Sequence, residues 1–247
     1  MYFTSEENIG KLYGTIWSGD GQWIANDLQA FLKGKSEATI HLHTPGGSVF
    51  DGNLIYNVLK ASKTKVNIVI DGLAASMGSI LMLAGSTVTM AENSFVMIHA
   101  PSGVVEGSAN DMKNAATLLA SLENQFVKKY VAKTGKTEQE VKQWLNGDNW
   151  FSADDAVSAG LVDGITNAVL EGVDLSAVLK MDTKALSDNF DKQFLNQVVN
   201  NKNNDTMKLN AQSKAVLGVS DDATDEQVNA AIEALSKDNQ TMKARAE

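Results

Sequence analysis

The chain has no cysteine in its 247 residues, which excludes disulfides, thiolate nucleophiles and thiolate metal sites. It has two prolines, Pro45 and Pro101, and three histidines. No apolar run approaches the ~18 residues a membrane-crossing helix needs, so no membrane partner is expected. The first residues, Met-Tyr-Phe-Thr-Ser-Glu-Glu-Asn, are too polar and acidic for a secretory signal, which points to the cytoplasm. Positive charge is in the minority: 21 Lys and Arg stand against 30 Asp and Glu, a formal net charge of −9. Nucleic acid is therefore not an expected partner, because phosphate contact needs a basic face. What is present, 43 % hydrophobic and 21 % charged residues, is the composition of a globular protein with a real core.

Aromatic residues run out along the chain. Only Phe190 and Phe194 lie beyond residue 180, and all four Trp (Trp17, Trp23, Trp144, Trp150) lie before it. A main domain over 1–180 is expected, since a packed core draws on such side chains. A helix and Asn-rich linker follow over 181–206, with Asn196–Asp205 reading NQVVNNKNND. A scaffold-like helical or disordered tail follows over 207–247, where Thr224 and Gln227 form a capping box ahead of Val228, Ala231, Ile232 and Leu235.

Inside the main domain strands alternate with helices. Ala38–His43, Val66–Ile70, Thr87–Met90 and Phe95–Ile98 read as strands, rich in β-branched and apolar residues. Gln22–Lys33 carries one apolar face and stops at Gly34; Leu54, Ile55, Val58 and Leu59 mark a second helix. Ser108 with Asp111 caps a long third helix, whose apolar positions Met112, Ala115, Leu119, Leu122, Phe126 and Tyr130 keep helical spacing. Thr137 with Glu140 caps a fourth that ends near Trp144. This alternation predicts an α/β class with mostly parallel pairing.

Both prolines sit in short Gly- and Ser-bearing loops at the ends of expected strands, Thr44-Pro45-Gly46-Gly47-Ser48 and His99-Ala100-Pro101-Ser102-Gly103. Strand ends are where α/β folds place ligands. Between them, Ser76 lies in Gly72-Leu-Ala-Ala-Ser-Met-Gly-Ser, after one strand and before an apolar run, flanked by small residues. A nucleophile elbow has that form, although Ala74 stands where G-x-S-x-G has its first Gly. A serine needs a base. His99, at the end of a strand, is placed to supply one. His41 and His43 alternate with Ile40 and Leu42 on one strand face and read as partly exposed strand residues; two ligands alone do not make a metal site. The base needs an orienting acid, and Asp71, Asp148, Asp154, Asp155 and Asp163 all remain candidates on spacing alone.

From about Lys11 to Val169 the chain resembles the Clp peptidase catalytic subunit. Four blocks, in order and at matching spacing, carry the resemblance: Thr44-Pro-Gly-Gly-Ser-Val, Gly72-Leu-Ala-Ala-Ser-Met-Gly-Ser, Val96-Met-Ile-His-Ala-Pro, and Asp148-Asn-Trp-Phe-Ser-Ala followed by Gly160-Leu-Val-Asp-Gly-Ile. The resemblance implies a serine endopeptidase with nucleophile Ser76, base His99 and orienting acid Asp148. It implies oxyanion donors at the Gly47 and Met77 N–H groups, and substrate bound as an added strand along Gly47, Ser48 and Val49 and along Ser102, Gly103 and Val104. It implies the crotonase-like stack of β-β-α units and a homo-oligomeric ring, heptameric and paired face to face through the Ser108–Lys133 helix. No cofactor and no metal are implied.

Two features depart from the housekeeping peptidase. Only about ten residues precede the region of resemblance, which weighs against dependence on an ATP-driven unfoldase. The segment beyond residue 180 resembles the scaffold-like tails of phage head-maturation proteases, implying a capsid or scaffold substrate. A general protein-degrading Clp-type peptidase is the alternative among enzymes. A Ser-Lys peptidase and a crotonase-type hydratase fit less well, because His99 and Asp148 both stand at the matching places. An inactive ring-forming scaffold is the alternative from another class, and the intact Ser76, His99 and Asp148 argue against it.

Overall fold

Alternation along Glu37–Thr44 organises the sheet. In the computed structural model, which describes residues 1–166 and the single helical positions Gln227 and Ala230, Ala38, Ile40, Leu42 and Thr44 are buried while Thr39, His41 and His43 are half-buried on the opposite face. The chain separates into two units, Met1–Leu195 and Asn196–Glu247. The fold below concerns the first; the expected boundary at 180, the linker, the Thr224 cap and the tail helix lie outside the described residues.

The strands are β1 (Tyr2–Glu6), β2 (Ile9–Tyr13), β3 (Glu37–Thr44), β4 (Lys65–Ala75), β5 (Thr87–Ala91), β6 (Phe95–Ile98), β7 (Asn149–Phe151) and β8 (Gly164–Thr166). They form one sheet in the order β1-β2-β3-β4-β5-β8, with β6 paired to β4 and β7 to β6. Pairing is parallel from β2 through β8 and between β4 and β6, and antiparallel for β1–β2 and β6–β7. The expected α/β class with mostly parallel pairing is what the chain adopts. The helices are α1 (Asp20–Leu32), α2 (Val49–Ala61), α3 (Met77–Leu81), α4 (Ala109–Thr134), α5 (Glu138–Trp144) and α6 (Ala153–Ser158), with a 3₁₀ turn over Met82–Ala84. Ile24, Leu28 and Phe31 of α1, Ile55 and Leu59 of α2, and Phe126, Val127 and Tyr130 of α4 close over Leu42, Ile68, Ile70 and Val88 of the sheet.

Three differences from the sequence reading have physical causes. The residues expected to precede the first strand are themselves the sheet edge, a hairpin in which Tyr2 pairs Tyr13 and Glu6 pairs Ile9. Gly10 is required there, because a Cβ at that position would lie 2.7 Å from the Phe3 ring and 2.8 Å from Ile40 Cδ1. The strand expected over 66–70 continues to Ala75. Asp71-Gly-Leu-Ala-Ala has weak strand propensity, but every one of its residues is buried, with Ala74 in the main core and Leu73 and Ala75 against Met97 in a second cluster. Finally β7 and β8, each three residues long, carry too little pattern to be read in advance.

Both capping-box expectations within the described residues match. Ser108 and Asp111 form a reciprocal capping box on α4, and Thr137 and Glu140 form one on α5. Only the C-terminal half of α4 is packed, through Leu122, Phe126, Val127 and Tyr130; Met112 and Leu118 of its N-terminal half are exposed.

Candidate active site

Ser76 stands where β4 ends and α3 begins, at φ 54 and ψ −122. A residue with a Cβ holds a positive φ only where its surroundings over-determine it. Here they do. The Ser76 N–H donates to the Met97 carbonyl at 2.9 Å, and the Ser76 carbonyl accepts the Ser79 N–H at 3.0 Å. Small neighbours let other backbone crowd the turn. A Cβ on Gly46 would lie 2.6 Å from the Ala75 carbonyl oxygen and 2.8 Å from both Met77 N and Ser76 Cβ. A Cβ on Gly78 would lie 2.5 Å from Thr44 Cγ2.

The Gly46-Gly47 turn is clamped over this elbow. Ile16 N–H donates to the Gly46 carbonyl at 2.7 Å and Ser48 N–H donates to the Ile16 carbonyl at 2.8 Å. Gly46 N–H donates to Thr44 Oγ1 at 3.0 Å, and that hydroxyl donates to the Gly14 carbonyl at 2.7 Å. Gly46 and Gly47 have φ 92 and 131, which side-chain-bearing residues rarely adopt. Behind the turn, Asp51 accepts from Gly19 N–H at 3.0 Å and from Gly21 N–H at 2.9 Å, tying the start of α1 to the start of α2. The Gly47 and Met77 N–H groups have no protein acceptor among the described residues.

Strand register assembles the rest. Ala75 pairs Met97 and Ile98 pairs Asn149, so Ser76, His99 and Asp148 each lie one residue past a paired position, at one end of three adjacent strands. His99 Nε2 is 2.7 Å from Ser76 Oγ, and His99 Nδ1 is 3.0 Å from Asp148 Oδ1. An ionised carboxylate only accepts, so Nδ1 carries the proton and donates to Asp148, and Nε2 accepts the serine O–H. The His99 side chain is 14 % exposed and that of Asp148 36 %.

Residues 12–169 match the family model described as Clp protease. The chain belongs to the Clp protease family. Membership makes this Clp protease a peptidase, of a family generally of serine type, and places the four sequence blocks inside the matched region.

The structure also disposes of the other aspartates. Asp71 turns to the half-buried face of the sheet, where His41 Nδ1 lies 2.8 and 3.0 Å from its two oxygens and the Tyr13 hydroxyl donates to it. Asp155 accepts from the Ser152 hydroxyl at the start of α6, and Asp163 accepts from Lys133 Nζ at 2.6 Å and Val88 N–H at 2.7 Å. Asp154 sits in the first turn of α6. His43 stands edge-on to Tyr13, with ring centroids 5.6 Å apart, and against Gly72, where a Cβ would lie 2.9 Å from the ring. Burial pushes its pKa down to about 4, against a smaller upward pull from Asp71. Its Nδ1 is buried against Gly72, and that burial disfavours the charged ring. Among the described residues no group of His, Asp and Glu is placed to hold a metal, and no helix is long and apolar enough to cross a membrane.

Of the expected substrate edges, Ser48 caps α2 and Val49 is its first residue, which leaves Gly47 as the one position of that trio outside the helix and its cap. Ser102, Gly103 and Val104 form an exposed irregular segment beyond His99. Sequence reasoning missed Ile16 and Thr44 as the clamps of the glycine turn; nothing local to Gly-Thr-Ile announces that role. A groove lined by Lys33, Lys35, Asn57 and Lys63 lies at the far ends of α1 and α2 and includes none of these residues.

Proposed function

We propose that this Clp protease is a serine endopeptidase in which Ser76 Oγ attacks the scissile carbonyl. The observation that carries this reading is the hydrogen-bonded line from Ser76 Oγ through His99 to Asp148 on an elbow of positive φ. His99 Nε2 takes the serine proton as the C–O bond forms, then gives it to the leaving amine as the C–N bond breaks. Asp148 holds the Nδ1 proton and stabilises the imidazolium. The Gly47 and Met77 N–H groups receive the oxyanion: Met77 follows Ser76 directly, Gly47 follows the Gly46 that packs on Ser76, and neither N–H has a protein acceptor among the described residues. Water then repeats the sequence on the acyl-enzyme and frees Ser76. Gly47 and the Ser102–Val104 segment flank the substrate strand.

The reading extends to assembly. Met112 and Leu118 on α4, and Val104 and Val105 before it, are exposed apolar side chains, which supports their burial against a second copy of the chain in a closed homo-oligomeric ring as the working form. The chain beyond the matched residues 12–169, with its acidic, Asn-rich composition, supports a capsid- or scaffold-processing substrate over general degradation with a partner ATPase.

The test is covalent. A serine-reactive phosphonate, followed by peptide mass spectrometry, is expected to modify Ser76 and no other serine, and Ser76→Ala is expected to abolish both labelling and peptide cleavage. Cleavage by Ser76→Ala at the parent rate overturns the proposal. Light scattering that returns a concentration-independent monomer overturns the ring.

A further inference from the structure

The elbow is tied to α4 by a buried polar chain that the triad does not use. Ser79 and Tyr130 are 0 % and 1 % exposed. Ser79 Oγ donates to the Ser76 carbonyl at 2.6 Å. A hydroxyl has one proton, so at 2.6 Å from the Tyr130 oxygen Ser79 Oγ is the acceptor and Tyr130 O–H the donor. Burial raises the Tyr130 pKa far above neutrality, which keeps it a donor. The chain therefore runs one way: Tyr130 O–H to Ser79 Oγ–H to the Ser76 carbonyl.

That carbonyl shares a peptide plane with the Met77 N–H. A serine bonding back to the carbonyl three residues earlier is common in helices. Two features set this one apart. The acceptor belongs to the residue held at φ 54, and the hydroxyl is itself driven by a donor from a different helix. Rotation of the Ser76–Met77 peptide would carry the Met77 N–H away from the oxyanion position; two hydrogen bonds on the carbonyl, from Ser79 N–H at 3.0 Å and Ser79 Oγ at 2.6 Å, resist it. Electron density drawn onto the carbonyl oxygen also leaves the amide proton more positive, and serial hydrogen bonds in a buried, low-dielectric interior reinforce one another.

We infer that Ser79 and Tyr130 are positioning residues for the oxyanion site: through the Ser76–Met77 peptide they orient the Met77 N–H and strengthen it as a donor. This rests on the serine peptidase reading above. It asks nothing of His99, and substrate in its ground state is little affected, because the benefit arises as the oxyanion develops.

The experiment uses the full-length chain in its native assembly, with Tyr130→Phe, Ser79→Ala and the double variant. Active sites are first titrated with the serine phosphonate, and kcat per titrated site, KM and the pH dependence of kcat are measured on one peptide substrate. Complete loss of an oxyanion donor costs on the order of 10² to 10³ in kcat; a donor kept but loosened is expected to cost a part of that. Ser79→Ala is expected to lower kcat roughly 30-fold and Tyr130→Phe roughly fivefold. KM is expected to stay within about twofold and the pH dependence to keep its midpoint. The double variant is expected to match Ser79→Ala, because Tyr130 acts only through Ser79. If Tyr130→Phe fails to fold, Ser79→Ala, which removes a single atom, decides the matter. A kcat per titrated site within twofold of the parent, a loss carried by KM, or a displaced pH midpoint overturns the inference. A parent protein that the phosphonate does not label at Ser76 overturns the catalytic reading itself, before any of these variants is made.

Discussion

His43 makes the stability of this protein depend on acid in a calculable way. Its ring is packed between Tyr13 and Gly72 on the face shared with His41 and Asp71, and burial takes its pKa from 6.5 to about 4. The unfolded chain therefore binds a proton that the folded chain refuses between those two values. The stabilising contribution is complete above the unfolded pKa and is lost as pH falls from 6.5 toward 4. The whole displacement corresponds to about 3 kcal/mol, and about 2 kcal/mol of it falls between pH 7 and 5, before most carboxylates titrate. The perturbation is His43→Asn, which keeps a polar side chain but cannot titrate. Urea unfolding at fixed protein concentration, run at pH 7 and pH 5 for parent and variant, isolates the term, because His41, His99 and every carboxylate are common to both. The parent is expected to lose about 2 kcal/mol more than His43→Asn over that interval. Equal losses, or a larger loss in the variant, would refute the argument that the packing around the ring excludes its charged form.

Four further outcomes are expected. Gly46→Ala drives a Cβ to within 2.6 Å of the Ala75 carbonyl and 2.8 Å of Ser76 Cβ at a φ of 92, so the elbow must move; kcat/KM is expected to fall on the order of 10²-fold, with a lower melting temperature. Asp148→Asn replaces the carboxylate at His99 Nδ1, in a partly exposed site, by an uncharged amide whose NH2 favours the wrong tautomer; kcat is expected to fall on the order of 10⁴-fold while circular dichroism and melting stay near those of the parent. Ser76→Gly relieves the strain at φ 54 and is expected to unfold about 1 kcal/mol harder than Ser76→Ala, both being inactive; the reverse order would mean the elbow holds no strain. Ser108→Ala breaks the α4 capping box and is expected to cost about 1 kcal/mol locally, read as faster hydrogen exchange over the first turn from Ala109 with no change at Tyr130.

Much of the site was legible along the chain because its parts are local. Ser76 among small residues, the Gly46-Gly47 turn and the Ser108 and Thr137 capping boxes each depend on neighbours three or four positions away, and local sterics and hydrogen bonding are written in such short spacings. Which aspartate faces His99 was not legible from the residues themselves; the resemblance pointed to Asp148, whereas spacing left five candidates. The register of β6 against β7 decides it, pairing Ile98 with Asn149 and so setting Asp148 beside His99, while Asp71 is drawn to His41 and Tyr13, Asp155 accepts the Ser152 hydroxyl and Asp163 takes Lys133. The extension of β4 through Asp71–Ala75 is likewise a tertiary result, because burial among two packed clusters overrides the weak propensity of Gly and Ala. So too are the clamps from Ile16 and Thr44 and the line from Tyr130 to the Ser76 carbonyl, which join residues far apart in the chain. The sequence alone supplied the candidate side chains and the local turns that present them. Long-range strand pairing and packing settled which of those side chains meet, since a hydrogen bond between distant residues depends on a register that no short stretch of sequence encodes.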